Sequence, residues 1–339
     1  MRIAVLSDIH ANFEALRAVL DDAIKQNVNC FLCLGDIVGY GADALECFHL
    51  LQTRVKPCGW IAGNHDWELT GQLPSLYSQG VAQWSLKRTR ELAEAVPAKQ
   101  QALTELITFL QTLPTYAEGP DDLLGVWLMH GRIIEKKSDA EPDMIAGITN
   151  MGYVFPSLAV NGPKAERSYQ WARRHPHDPN ILPRVLLAGH THMPMLWERQ
   201  LGNALEESDW KQLLPPQTSV SETLKWNDCP RCHGDSSSCG ARGIWNQPLE
   251  FGHNPVWINP GSIGQPRDGC PAASYAVLDL AVHRHRVTFR RIMYPVEDAV
   301  KSLALFRNTN KNLSEDDRIR ENGYIQTLKM LLERGGNNA

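Results

Sequence analysis

Short apolar runs recur through the first two thirds of the chain; most close on polar residues, and several are followed by a stretch of helical period. Residues 2–6 read as a buried strand, and Asn12 is placed to cap a helix whose Phe13, Leu16, Leu20 and Ile24 recur near 3.6 residues. A second strand over 29–34, a second helix over 42–54 and a third strand over 58–62 repeat the alternation. Between 79 and 113 the pattern is helical, with Leu103, Leu106, Ile107 and Leu110 on one face and a break at Pro97, which predicts a helical hairpin over a sheet. Strands over 123–129 and 184–188 then deliver His130 and Gly189-His190-Thr191-His192. Regularity fails over 200–255, where Pro, Ser, Asn and Gly accumulate, and this stretch is expected to be an irregular insertion. Order returns with a strand over 256–259, the turn Pro260-Gly261-Ser262, an antiparallel pair over 273–280 and 286–293, and a helix from Val296. The expectation is therefore a single α/β domain over 1–199 and 256–308, with a charged helical tail over 309–339 that frays at its end. Alternation of this kind favours parallel pairing, with ligands beyond the carboxyl ends of the strands.

Polar residues at those strand ends carry the candidate chemistry: Asp8 and His10, Asp36, Asn64 and His65, His130, then His190 and His192. Asp36 stands among the glycines of Leu34-Gly35-Asp36-Ile37-Val38-Gly39-Tyr40-Gly41, where small residues let a metal or an anion approach the main chain. Carboxylate, imidazole and amide donors without a thiolate suit Mn²⁺, Fe²⁺, Zn²⁺, Ni²⁺ or Co²⁺. In a strand, residues two apart point to the same side, which is expected to let Asp8 with His10, and His190 with His192, reach a common centre. Gly-Asn-His-Asp and Gly-His-Thr-His would each arise by chance only ~0.002 times per chain at uniform residue frequencies, and both are present after strand-like runs.

Composition narrows the classes. A 339-residue chain, 43% hydrophobic, can bury a substantial core, and a formal charge of −4 gives no general affinity for polyanions. Basic residues interleaved with aromatics are not evident, so nucleic-acid binding is not expected. The first apolar run meets Asp8 too early for a signal peptide and no later run approaches membrane-spanning length, so a cytoplasmic location is expected. Of the eight cysteines, Cys30, Cys33, Cys47 and Cys58 lie in apolar segments and are expected to be reduced core thiols, with Cys30 and Cys33 facing opposite ways. Cys229, Cys232, His233 and Cys239 are either ligands of a small structural zinc or free groups in a flexible loop.

Asp8-x-His10, Gly35-Asp36, Gly63-Asn64-His65-Asp66, His130 and Gly189-His190-Thr191-His192 resemble, in order, the motifs of the calcineurin-like metallophosphoesterase superfamily. Asn259-Pro260-Gly261-Ser262 is similar to a turn of its small bacterial phosphodiesterase branch. The resemblance implies two mixed β-sheets packed as a sandwich with helices outside. It also implies a dinuclear metal centre: Asp8, His10 and His192 on one ion, Asn64, His130 and His190 on the other, and Asp36 on both. A bridging hydroxide would attack phosphorus and His65 would protonate the leaving group, in a site of net charge about +1. Where the phosphoprotein-phosphatase branch has an Asp and an Arg, this chain has Gly39 and Tyr40. Without that guanidinium a phosphodiester, small or nucleotide-like, is expected over a phosphoprotein. A phosphoprotein phosphatase, a dinucleoside-polyphosphate hydrolase and a non-catalytic metal-binding scaffold are the alternatives. Arg267 is either a phosphate clamp or a solvated loop residue, Tyr40 is a further candidate for substrate contact, and Asp66 either takes part in catalysis or orients its loop.

Overall fold

Strand β1 (Arg2–Leu6) pairs in parallel with β2 (Cys30–Cys33), and β2 with β3 (Pro57–Trp60). The intervening helices are α1 (Phe13–Lys25) and α2 (Ala44–Arg54). On its other side β1 meets β11 (Ala273–Leu280) antiparallel, followed by β12 (His285–Ile292) and β9 (Pro248–Phe251), which completes a six-stranded mixed sheet. The second six-stranded sheet runs β4 (Tyr116–Glu118), β5 (Val126–Met129), β6 (Val185–Ala188), β10 (Val256–Asn259), β7 (Met195–Arg199), β8 (Trp210–Gln212). In this sheet β5, β6 and β10 are parallel and the outer pairs antiparallel. The remaining helices are α3 (Asn64–Thr70), α4 (Val81–Glu94), α5 (Pro97–Gln111), α6 (Met144–Ile148), α7 (Leu158–Arg174), α8 (Val296–Leu305) and α9 (Glu315–Arg334). This computed structural model describes residues 1–74, 80–135, 143–148, 152–155, 158–200, 210–213, 246–281, 285–307 and 314–334.

Period-2 alternation sorts the strand residues between layers. Ile3, Val5, Leu32 and Leu34 point inward to meet Leu128, Leu187, Leu196 and Ile258 of the facing sheet, and together they form the core between the sheets. Ala4, Leu6, Phe31 and Cys33 point outward under α1, α2, α5 and α8. Trp127, Leu186, Trp197 and Trp257 point outward from the second sheet under Tyr169 and Trp171 of α7. Four layers result, as the motif resemblance implied. Fully burying one such leucine contributes roughly 1.5–3 kcal/mol, which fixes the strand register because a one-residue slip would turn this set outward.

The hairpin α4–α5 forms as expected, with Pro97 at the first turn of α5 and Leu103, Leu106 and Leu110 buried. Asn12 caps α1 by accepting from the Ala15 amide at 3.1 Å, although Ile24 falls off the buried stripe and is exposed. The stretch expected to be irregular contributes β8 and β9, edge strands too short to show a period. Leu328 and Leu332 dock α9 on the core under α8, so the charged tail is anchored through these leucines. Cys30 and Cys33 do face opposite ways, but the reduced-thiol expectation needs correction: Cys30 and Cys58 form a disulfide, with Cα atoms 5.7 Å apart. The register shift between Phe31 and Leu32 in the β2–β3 pair brings these two side chains together. Cys229, Cys232, His233 and Cys239 lie outside the described residues. Among the described residues no helix is long and apolar enough to cross a membrane.

Asp43, before α2, is partly buried and makes no cap hydrogen bond; burial, then Glu46, pushes its carboxyl up to about 6. Because the folded value lies above the unfolded one, ionisation costs more in the folded state, and stability falls as pH rises from about 4 to about 6. Asp43→Asn is therefore expected to raise stability at pH 8 by about 1 kcal/mol, after allowance for solvent screening, and to have little effect at pH 4. Thermal unfolding of both proteins across this range checks it; a pH-independent difference would refute the assignment.

Candidate metal centre

The strands end before the candidate ligands begin, so strand alternation does not bring them together. Instead Asp8, His10, Asp36, His190 and His192 adopt left-handed backbone conformations, with φ of 52, 48, 55, 69 and 59°. Asp and His tolerate this region better than most residues, yet each such residue costs of order 1 kcal/mol or more. Hydrogen bonds between the turns offset the strain. The amides of Asp8, His10 and Ala11 donate to the carbonyls of Gly35, Asp36 and Ile37 at 3.1, 2.9 and 2.8 Å. Asp66, fully buried, accepts from the amides of Asp36, Ile37, Val38 and Gly63 at 2.8, 2.9, 3.3 and 3.0 Å. Its place is thus to hold the Asp36 loop. Gly63 must be glycine, since a Cβ there would collide with the Asp36 carboxylate.

All the predicted ligands converge. His10 Nδ1 donates to Val38 O at 3.1 Å and His192 Nδ1 to Gln265 O at 2.6 Å, so the Nε2 atoms, 3.0 Å apart, confront each other as bare lone pairs. Asp8 Oδ1 lies 3.3 Å from His192 Nε2 and 3.8 Å from His10 Nε2. On the other side His130 Nδ1 donates to Leu34 O at 2.7 Å, and its Nε2 lies 3.1 Å from His190 Nδ1 and 3.3 Å from Asn64 Oδ1. Asp36 joins the halves, with Oδ2 3.2 Å from His130 Nε2 and 3.8 Å from His10 Nε2. Two sets of buried acceptors with few hydrogens between them are poor company for one another and good ligands for cations; the donor set fits divalent metals. The Asn64 amide nitrogen could take the inward place and donate to His130 and His190, but with a cation the oxygen belongs there.

Charges follow the same pattern. Burial opposes ionisation of Asp8 and Asp36, but the surrounding histidines, His192 foremost for Asp8 and His130 for Asp36, hold both carboxyls below their ordinary range. Burial, then His192, holds His10 well below its ordinary value. Burial also acts on His130, but Asp36 overcomes it and lifts the imidazole to about 9.

His65 stands beside this cluster, its ring 5.1 Å from that of His10 and its amide donating to Asp36 Oδ1 at 2.9 Å. Burial pushes its imidazole down to about 4. Its Nδ1 is buried with no hydrogen-bond partner among the described residues; Gly39 (φ 89°) lies against it, and a Cβ at 39 would come 2.6 Å from that nitrogen. Tyr40 packs edge-on against His10, with centroids 4.8 Å apart. Arg267 returns to the site: its Nη2 is 3.4 Å from Tyr40 Oη and 3.1 Å from Gln265 Oε1, and its Nη1 is 3.5 Å from Tyr153 Oη. Tyr153 is a residue the sequence reading missed. It stacks on His190 with centroids 4.0 Å apart, and it lies in a stretch with no period to mark it.

A four-layer sandwich with carboxylate and imidazole acceptors gathered beyond its strand ends defines a candidate metallohydrolase. The family model for calcineurin-like phosphoesterases matches residues 1–217, and the chain belongs to that family of phosphoester hydrolases. An uncharacterized protein of Methanocaldococcus jannaschii is 26% identical over 301 residues, which cover 89% of this chain and 91% of that protein. A symmetrical bis(5'-nucleosyl)-tetraphosphatase of Aeromonas hydrophila is 31% identical over 129 residues, only 38% of this chain and 43% of that enzyme. The crystal structure of a metallophosphoesterase from Sphaerobacter thermophilus superimposes with a TM-score of 0.56 at 25% identity, covering 99% of this chain and all of that one.

Proposed function

We propose that this protein is a metal-dependent phosphohydrolase that cleaves phosphodiester-type bonds, with one divalent ion held by Asp8, His10 and His192, a second by Asn64, His130 and His190, and Asp36 shared. The observation that carries the reading is the gathering of buried donor atoms: the lone pairs of His10 Nε2 and His192 Nε2 face each other at 3.0 Å, and Asp36 Oδ2, Asn64 Oδ1 and His190 Nδ1 lie within 3.3 Å of His130 Nε2. Bound divalent ions supply a nucleophilic water at neutral pH and positive charge for phosphoryl oxygens. The carbonyls of Val38 and Gln265 fix the tautomers of His10 and His192, so their lone pairs are aimed before any ion arrives, and the Leu34 carbonyl orients the His130 ring. His65 serves as proton donor to the leaving oxygen. Burial leaves its imidazole with little positive charge at neutral pH, so the reaction favours leaving groups that need protonation least, such as aryl oxides and phosphates. Tyr40 in place of an arginine disfavours a phosphoprotein, while Arg267 offers one cationic contact to a non-bridging oxygen. The name of the Aeromonas relative supports phosphoanhydrides among the bonds cleaved.

Purified protein is expected to hydrolyse bis(p-nitrophenyl) phosphate with Mn²⁺ and to carry two equivalents of metal in these sites. His65→Ala is expected to lower kcat at least ~100-fold while metal content stays the same. No hydrolysis with any divalent metal would leave a metal-binding scaffold as the better account.

A further inference from the structure

Strand β12 carries a charge where its period calls for an apolar side chain. Val287 and Phe289 alternate inward to the core between the sheets, and Arg291, the next residue of that period, is as fully buried as they are. Its guanidinium meets the buried carboxylate of Asp268, and its Nη1 donates to Ala272 O at 3.0 Å. Stability alone does not account for such a pair, since apolar groups of similar volume often serve a fold as well or better. What the pair does is tie the loop over 262–270 to the sheet.

The two halves of that loop are held differently. In the first half Ser262 Oγ and the Gly264 amide donate to Asp8 O at 2.8 and 3.0 Å. Gln265 O receives His192 Nδ1, and Asn12 Nδ2 donates to Gly264 O at 3.1 Å. This half is therefore pinned to the ligand turns without help from β12. The second half carries Arg267, whose Nη2 faces Tyr40 and Gln265 and whose amide meets His192 O at 3.3 Å, at the long end for a hydrogen bond. Asp268 comes next and anchors this half to β12, with Gly269 (φ 79°) turning the chain behind it.

We propose that Arg291 is a positioning residue: through Asp268 it holds the Arg267 guanidinium toward the metal centre, where that group meets a non-bridging oxygen of the substrate. The inference rests on the phosphohydrolase reading and goes beyond it, to a residue on the sheet side of the loop. A contact made alike in the bound substrate and in the transition state lowers KM and leaves kcat unchanged, so its loss is read in KM.

Steady-state kinetics on bis(p-nitrophenyl) phosphate at saturating Mn²⁺, with wild type, R267Q, R291K and R267Q/R291K, form a double-mutant cycle. R267Q is expected to raise KM about 10-fold or more, the loss usual for a charge-assisted contact, and R291K about fivefold. In R291K kcat should stay within about twofold of wild type and metal content should not change. Lysine keeps the charge but not the planar fork that serves Asp268 and Ala272 together. Because Arg291 acts through Arg267, the double variant is expected to have the KM of R267Q, whereas a merely structural role would make the two effects multiply. R291M/D268L replaces the buried pair by apolar groups and covers the case in which R291K does not fold; the same rise in KM is expected from it. Orthophosphate affinity of the Mn²⁺-loaded proteins, by calorimetry, carries the same cycle without turnover. Wild-type KM and orthophosphate affinity in these variants, effects that multiply, or a wild-type chain without orthophosphate affinity would overturn the role of Arg291. Absence of hydrolysis with the calorimetric cycle intact removes the phosphohydrolase reading and keeps Arg291, whereas turnover with effects that multiply removes Arg291 alone.

Discussion

Asp36→Asn is expected to lower kcat/KM on an aryl phosphodiester at least ~10³-fold and to strip metal from the purified protein, while the fold persists. The amide keeps the shape of the carboxylate, and its oxygen can still accept from the His65 amide, so the loop keeps that contact. What disappears is the negative charge between the two halves of the cluster, where Asp36 Oδ2 lies within 3.8 Å of both His10 and His130. Two cations placed there without it repel each other strongly. A second readout is independent of metal. Asp36 is what lifts His130 to about 9 against burial, so in metal-free Asp36→Asn its imidazole should titrate lower, which NMR can follow. A variant that kept two metal equivalents and full turnover would show that Asp36 is not the shared ligand.

The candidate ligands were legible in the sequence because each follows a short apolar run, which reads as a buried strand and so announces where a carboxyl end lies. How they converge was not. The left-handed turns at Asp8, His10, Asp36, His190 and His192 depend on amide-to-carbonyl bonds between segments far apart in the chain, which leave no local period. Tyr153 was invisible for a similar reason: its stacking on His190 is a tertiary contact made from an irregular stretch. The Cys30–Cys58 bond likewise depends on a register shift between paired strands, while α9 hid its anchoring leucines in a charged stretch of weak amphipathicity.

Asp66→Ala is the other large expected effect, and it separates architecture from chemistry. Four amides, those of Asp36, Ile37, Val38 and Gly63, donate to this carboxylate, so its removal leaves several buried N–H groups without an acceptor. Each costs roughly 1–3 kcal/mol. The loop can relax, so the sum is not reached, and a loss of about 3–5 kcal/mol in unfolding free energy is expected. Burial, then Asp36, pushes the Asp66 carboxyl up to about 7, so part of its stabilisation is already offset by the ionised carboxylate nearby. Activity should fall at least ~10-fold with it, because the Asp36 turn is held from this side and Gly63 packs against it with no room to spare. Denaturant unfolding, metal content and kcat measured on one preparation decide the matter. Stability and metal content should fall together; a variant with wild-type stability and metal content but no turnover would move Asp66 from the scaffold of the loop into the reaction itself.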